Sequence, residues 1–415
     1  MRLILRLALR NLLRNKRRSA LTLAAVLIPV VLLDLVWGLT GALERGLFTN
    51  TVRLETGHLQ IHKAGYRKVG RAAPIIRDVG VVLDALAREP EIEASTVRLE
   101  LPALAASGSR SRGVLLQGVE PASTKQLSVI DRWVREGRYL KPDDEDSAVA
   151  GRGLLERLGL EPDGRLILLI AHPETGTGVL LAEVVGVLDA PSRELSRAIV
   201  QVPLNEARKA IRLPTAATSV IVLVRGVQGP WDTPRIRAVV ERLRRALGER
   251  FAVETWEELA PQAVGILKIL KPINAGFMAI FFALAGLVVL NTLYLNVLER
   301  RRELGIILAV GAGGRRVVAM ITTEALVLAG IGALVGSLLG VGLVAHWSRG
   351  LVLPAVYKEI YGQFGLEPVL YLSMTPGEAV ISAAAMLLIA WLAAWLPARQ
   401  AARIDPVETM RAVAA

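Results

Sequence analysis

The sequence contains no cysteine. That excludes disulfides, iron–sulfur clusters and cysteine-type zinc sites. It also lacks a G-x-x-x-x-G-K-[ST] phosphate-binding loop and an H-E-x-x-H motif, so the chain by itself is not expected to be a P-loop ATPase or a zinc hydrolase. No serine–histidine or paired-carboxylate arrangement stands above chance. No catalytic, cofactor-binding or metal-binding residue is therefore expected. The first 18 residues have no acid but carry Arg2, Arg6, Arg10, Arg14, Lys16, Arg17 and Arg18. Charge of either sign is almost missing from four long stretches, 20–43, 273–298, 325–345 and 379–396. A bilayer core of roughly 30 Å takes about 20 helical residues, and each stretch meets or approaches that length.

The expected fold class is thus a membrane α-helical protein with four transmembrane helices and a large external α+β domain inserted between helices 1 and 2. The spans are placed at 20–43, 273–298, 321–345 and 379–396, and the inserted domain at 46–270. Against a net charge of +12, the first 18 residues, the 299–316 link and the 397–415 tail together hold 15 basic and 4 acidic residues, or +11. By the positive-inside rule these three segments are cytoplasmic, while the insert and the 346–378 loop are external. The insert has 31 basic and 28 acidic residues, so it carries no nucleic-acid footprint. A cleaved signal peptide is disfavoured for the first run, which is too long and lacks a clean small-x-small site.

Arginines at spacing four make 1–18 an expected amphipathic helix on the inner leaflet. Pro29 is expected to kink the first span. Asp34 is costly in lipid and is a candidate for a transmembrane cavity, together with Asn274 and Asn291. Gly332, Gly336 and Gly340 form a small-xxx-small packing face, whose partner is either another span or another chain. In the insert, strands are expected at 57–63, 96–106, 113–120, 165–170, 179–188, 198–202 and 219–225, with helices at 79–88 and 234–247. The order suggests two subdomains with a boundary near 119–148. His58 and His62 share a strand face but are too few for a metal site. The acidic run 143–146 is expected to be a solvated loop.

The inner-face segments are the most distinctive. After the second run the chain reads LERRRELGIILAVGAGG, a short helix around 304–310 ending in a glycine turn at 311–314. After the fourth it reads LPARQAARIDPVETMRAV, turning at Asp405-Pro406. Glu299, Arg300, Glu303, Gly305, Gly311 and Ala312 match the pattern E-R-x-x-E-I-G-[IL]-L-R-A-[VL]-G-A. Pro397, Ala398, Ala401, Asp405, Pro406 and Arg411 match P-A-x-x-A-x-x-x-[DN]-P-x-x-[AT]-[LM]-R. Where the first pattern has its arginine, this chain has Leu308-Ala309. TGHLQIHKAGY and VAGRGLLERLGLEPDGRL add to the likeness. On these residues the chain resembles the FtsX-like permease family, ABC transporter membrane subunits of the LolC/LolE (lipoprotein-releasing) and MacB type.

The resemblance implies a non-catalytic permease subunit, multi-pass in a bacterial inner membrane. It implies a second permease chain, identical or paralogous, and a separate ATPase subunit in two copies that holds the ATP and magnesium, with none on this chain. Docking on the ATPase would involve Glu299, Arg300, Glu303, Leu304, Gly305, Ile306, Gly311 and Ala312. A periplasmic carrier or adaptor and a lipid or lipoprotein cargo are implied as further partners. The alternatives are an FtsX-like regulator of a cell-wall hydrolase and a MacB-like efflux permease. A passive receptor would need neither four spans nor a shaped inner link.

Overall fold

The computed structural model describes residues 16–66, 73–172, 174–189, 193–310, 312–354, 356 and 369–404. The expected 1–18 helix falls almost wholly outside these, as do Gly311, Asp405, Pro406 and Arg411. The described residues form two compact units. One is drawn from Met1–Leu43, Lys268–Val352 and Val369–Ala415, the other from Glu44–Leu267 and Leu353–Pro368.

The first unit contains parts of four helices long and apolar enough to cross a membrane: Lys16–Thr51, Pro261–Glu299, Gly314–Trp347 and Pro376–Ala401. Each is longer than its apolar run, because hydropathy marks lipid-compatible residues whereas a helix continues until its backbone bonding is broken. The first helix runs unbroken through Pro29, and the second through Pro272. The fourth starts at a capping box. Glu378 N–H donates to Thr375 Oγ1 at 3.4 Å, and Thr375 N–H donates to Glu378 Oε2 at 2.7 Å. All four helices supply the buried core, with Val26, Val30 and Leu33 meeting Phe282, Val289, Ala325, Ala329, Met386 and Ala390. Its many alanines let the backbones approach closely, as packing in lipid requires. Leu287, Leu334, Leu338 and Leu388 point outward from the bundle. A short helix, Arg301–Ala309, follows the second long helix, and a two-stranded ribbon of Leu351–Val352 with Val369–Leu370 follows the third.

The second unit is built on a ten-stranded sheet. Its strands are β1 Leu59–Lys63, β2 Ile92–Ser107, β3 Arg110–Val119, β4 Val134–Gly137, β5 Ser147–Gly151, β6 Arg165–His172, β7 Gly176–Leu188, β8 Ile199–Pro203, β9 Ser219–Val224 and β10 Phe251–Thr255. The order is β10-β1-β9-β2-β3-β8-β5-β7-β4, with β6 paired to both β2 and β7. The helix Thr233–Leu247 buries Ile236, Val239, Val240, Leu243 and Leu247 at helical spacing. Arg242 joins it to the turn after helix Gly80–Ala87, through Glu89 at 2.9 Å and Glu91 at 2.6 Å.

The expected division near 119–148 gives way to one continuous sheet. β3 pairs in parallel with β8, and β8 pairs with β5, so strands on both sides of that region share a ladder. A row of buried polar bonds crosses the same place. Gln117 donates to Glu100 at 2.9 Å, Gln201 donates to Gln117 at 2.9 Å, and Tyr139 O–H donates to Gln201 at 3.0 Å. Buried amides held this way fix register, since a slip would orphan all of them.

Candidate functional site

The link between the second and third long helices has two faces. Leu304 and Gly305 are buried. Leu304 packs with Val297, Val317, Ile321, Ala398 and Ala401, and Ile307 and Leu308 lie against that cluster. Ile306 and Val310 face outward with Arg301 and Arg302, and Val310 is 84% exposed. Glu299 and Glu303 are also on the outer surface. Ala312 N–H donates to Ile307 O at 3.2 Å, the six-to-one bond that closes many helix ends. The expected docking residues therefore separate. Glu299, Glu303 and Ile306 are accessible to a partner, whereas Leu304 and Gly305 hold the link against the bundle. Val310 joins the accessible face, and sequence reasoning missed it.

Arg300 is the joint residue between the second long helix and the link helix. Its Nε lies 3.1 Å from Glu303 Oε2 and its Nη1 lies 3.1 Å from Glu324 Oε2. Glu324 is buried on the third helix and was not singled out from the sequence. The available signal was one acid inside an otherwise uncharged run, opposite an arginine where the preceding span ends.

The glycine face has its partner within the chain. A Cβ at Gly332 would stand 2.8 Å from Val26 Cγ1. One at Gly336 would stand 2.9 Å from Leu27 O and 3.1 Å from Val30 Cβ, and one at Gly340 2.6 Å from Asp34 Cβ. At Gly38 the relation reverses, with a Cβ 2.7 Å from Val344 Cγ2. Contacts therefore advance four residues at a time along both helices, so the first and third helices run parallel. Two parallel spans one apart in sequence are what alternating crossings require.

Asp34 lies inside this seam and is fully buried. Ser337 and Ser382 are polar neighbours, but neither carboxylate oxygen is in a hydrogen bond among the described residues. Asn274 is also buried, and Thr40 Oγ1 donates to its Oδ1 at 3.0 Å. Asn291 is exposed on the outside of the bundle, so the three expected cavity residues do not converge. Its place on the second helix is fixed by Val289 and Leu293, which point inward and turn Asn291 out.

In the second unit His58 and His62 are both buried. Val224 N–H donates to His58 Nδ1 at 2.8 Å. Burial, aided by the nearby Arg53, pushes the His58 pKa down to about 4. His62 stacks on Tyr66 at 3.6 Å. Among the described residues no group of three His, Asp or Glu side chains could hold a metal. In the acidic run, Asp144 is drawn into a two-pronged ion pair with Arg138, at 2.6 and 2.8 Å. The outer face of β2, β6 and β7 is aliphatic. Leu104 pairs with Leu169 and Leu169 with Val179, while Ala106 pairs with Ile167 and Ile167 with Leu181. All five of the larger side chains are exposed, Val179 by 64%. A cluster of this kind on a folded surface marks an interaction site.

The FtsX-like permease C-terminal family profile matches residues 275–406. The lipoprotein-releasing system transmembrane protein LolC of Xylella fastidiosa (strain 9a5c) is 22% identical over 78% of this chain and 78% of its own length. The macrolide export ATP-binding/permease protein MacB of Nitrobacter winogradskyi is 25% identical over 95% of this chain and 58% of its own. Among the first relatives matched, the chain spans between 33% and 78% of their length. A solved structure, the periplasmic region of MacB from Actinobacillus actinomycetemcomitans, aligns with 51% of this chain and 94% of its own at 14% identity and a TM-score of 0.36. The profile covers three of the four long helices, the link and the Arg300–Glu324 pair, so that residues 275–406 carry an FtsX-like permease domain.

Proposed function

We propose that this chain is the permease subunit of an ABC transporter of the LolC/MacB type. It couples ATP hydrolysis by a separate ATPase subunit to motion of its external unit, and so transmits force rather than opening a through-channel. It binds no nucleotide itself. The ATP and magnesium reside on the partner, present in two copies beside a second permease chain. Both termini and the link lie in the cytoplasm of a bacterium, and the inserted unit lies in the periplasm. The cargo is a lipoprotein or another lipophilic molecule taken from the outer leaflet of the inner membrane.

The observation that carries this reading is the two-faced link helix. Its inner face is packed onto the bundle, while Ile306 and Val310 are left bare beside Arg301 and Arg302. Exposed aliphatics ringed by charge on a short, braced helix suit docking by a partner protein. The aliphatic strip on β2, β6 and β7 supports the choice of cargo, because its row from Leu104 to Val179 offers acyl chains contact without charge.

The test is co-purification in mild detergent. The wild-type chain should bring an ATPase with it, and Ile306→Asp with Val310→Asp should lose that partner while still inserting. The reading fails if the wild-type complex contains no nucleotide-hydrolysing subunit, or if labelling finds 299–314 outside the cell.

A further inference from the structure

We propose that Glu324 is a positioning residue that acts through Arg300 to lock the joint between the second span and the link helix onto the third span. Arg300 is where the chain changes direction. It stands between helices Pro261–Glu299 and Arg301–Ala309 with φ −98° and ψ 11°, outside helical geometry. A joint of one residue is the natural place for a push on the link to be lost as bending. Here the side chain of that same residue is held from two sides. The guanidinium gives one edge to Glu303 on the link and another donor to Glu324 on the third helix, each at 3.1 Å. A planar, five-donor head serves two carboxylates at once in a way that a lysine cannot.

Glu324 sits ten residues into the third helix, and its side chain is 7% exposed. Val297, Leu304 and Ile321 pack together at the same end of the bundle, and Leu304 and Ile321 line one crevice with Arg300 and Glu324. An acid in so apolar a place is expensive, and the charge that compensates it is the arginine of the joint. Removing Arg300 leaves Glu324 buried without its counter-ion, and removing Glu324 leaves Arg300 tied to the link alone through Glu303. The pair therefore makes the link and the inner end of the third helix one rigid piece. Farther along the same four-residue row, the third helix carries Gly332, Gly336 and Gly340 seated on the first, so a displacement at Ile306 and Val310 passes to both. The direction of this transfer rests on the function proposed above, but the lock itself does not.

The chain has no cysteine, so a single Leu308→Cys reports on the lock. Leu308 packs against the cluster that seats the link. Its maleimide labelling is followed in full-length protein in membranes. Glu324→Gln keeps the shape of the side chain and should raise the labelling rate by about tenfold, the change expected when about 1.4 kcal/mol of closure is lost. Arg300→Gln should do the same. Arg300→Gln combined with Glu324→Gln should label no faster than Arg300→Gln alone, because the contact is already broken, whereas two independent packing defects would add. An unchanged rate in Glu324→Gln, or a double variant whose effect is the sum of the two single ones, overturns the proposal. In the assembled complex, Glu324→Gln should retain the ATPase subunit yet lose cargo-stimulated hydrolysis. If the wild-type chain retains no such subunit, the proposed function fails, while the labelling rates still decide the role of Glu324.

Discussion

Gly336→Ala tests the seam between the first and third helices. The added methyl would lie 3.1 Å from Val30 Cβ and 2.9 Å from the Leu27 carbonyl oxygen. Carbon–carbon contact is comfortable only at about 3.5–4.0 Å, so the helices would have to part by about 0.5 Å at this level. Neither obstacle can swing away, because one is backbone and the other is the first atom of a branched side chain. Overpacking of this kind costs about 1–3 kcal/mol. Gly330 and Gly342 lie on the same helix, and a Cβ at either meets nothing within 4 Å. Their alanine variants differ in propensity but not in contact, which makes them internal controls. The assay is reversible unfolding of the full chain in mixed micelles followed by circular dichroism. Gly336→Ala should lose about 1–3 kcal/mol relative to Gly342→Ala. Equal stability of the two would refute the seam and, with it, the parallel placement of these helices.

Two further outcomes concern the inserted unit. The His58 pKa of about 4 in the folded chain lies below the ordinary 6.5, so between those values the unfolded chain takes up a proton that the folded one refuses. Stability should fall as pH drops through that window, by about 2 kcal/mol at pH 5. His58→Gln, which can still accept from Val224 N–H, should lose less between pH 7.5 and pH 5, and identical losses would dismiss the assignment. On the aliphatic strip, Leu169→Asp with Val179→Asp should change the melting temperature little, since exposed positions shift stability by about 0.5 kcal/mol or less. The same pair should strongly reduce cargo transfer in a reconstituted complex, and unimpaired transfer would remove the strip from the transport path.

The four long helices were legible because lipid demands a run of apolar residues that nothing else in the chain imitates. Most strands were legible too, since β6 alternates buried and exposed side chains along its whole length. β4, β5 and β10 escaped notice, although β1 and β8, no longer than β5 and β10, did not. The single sheet could not be foreseen, for the pairings that join the two halves are distant in sequence: β3 meets β8 some 80 residues later, and β2 meets β6 and β9. The proposed docking motif was legible as a list but not as a geometry. Which of Leu304, Gly305 and Ile306 face a partner depends on the helix's rotation against Val317 and Ala401, which only packing sets. Glu324 was hidden for the same reason, since its counter-ion lies 24 positions earlier.

The four-residue stride shared by the first and third helices has a consequence for how they can slide. Partial slippage would ride Val26 and Val30 up onto ridges, so movement must come as a whole notch of about 6 Å. Either direction meets a bulky side chain: one brings Val30, Asp34 and Gly38 opposite Gly332, Gly336 and Gly340 but sets Val26 against Leu328, and the other drives Asp34 into the branched side chain of Val344. The seam is in effect a toothed rack with a stop at each end, a contact that keeps its register.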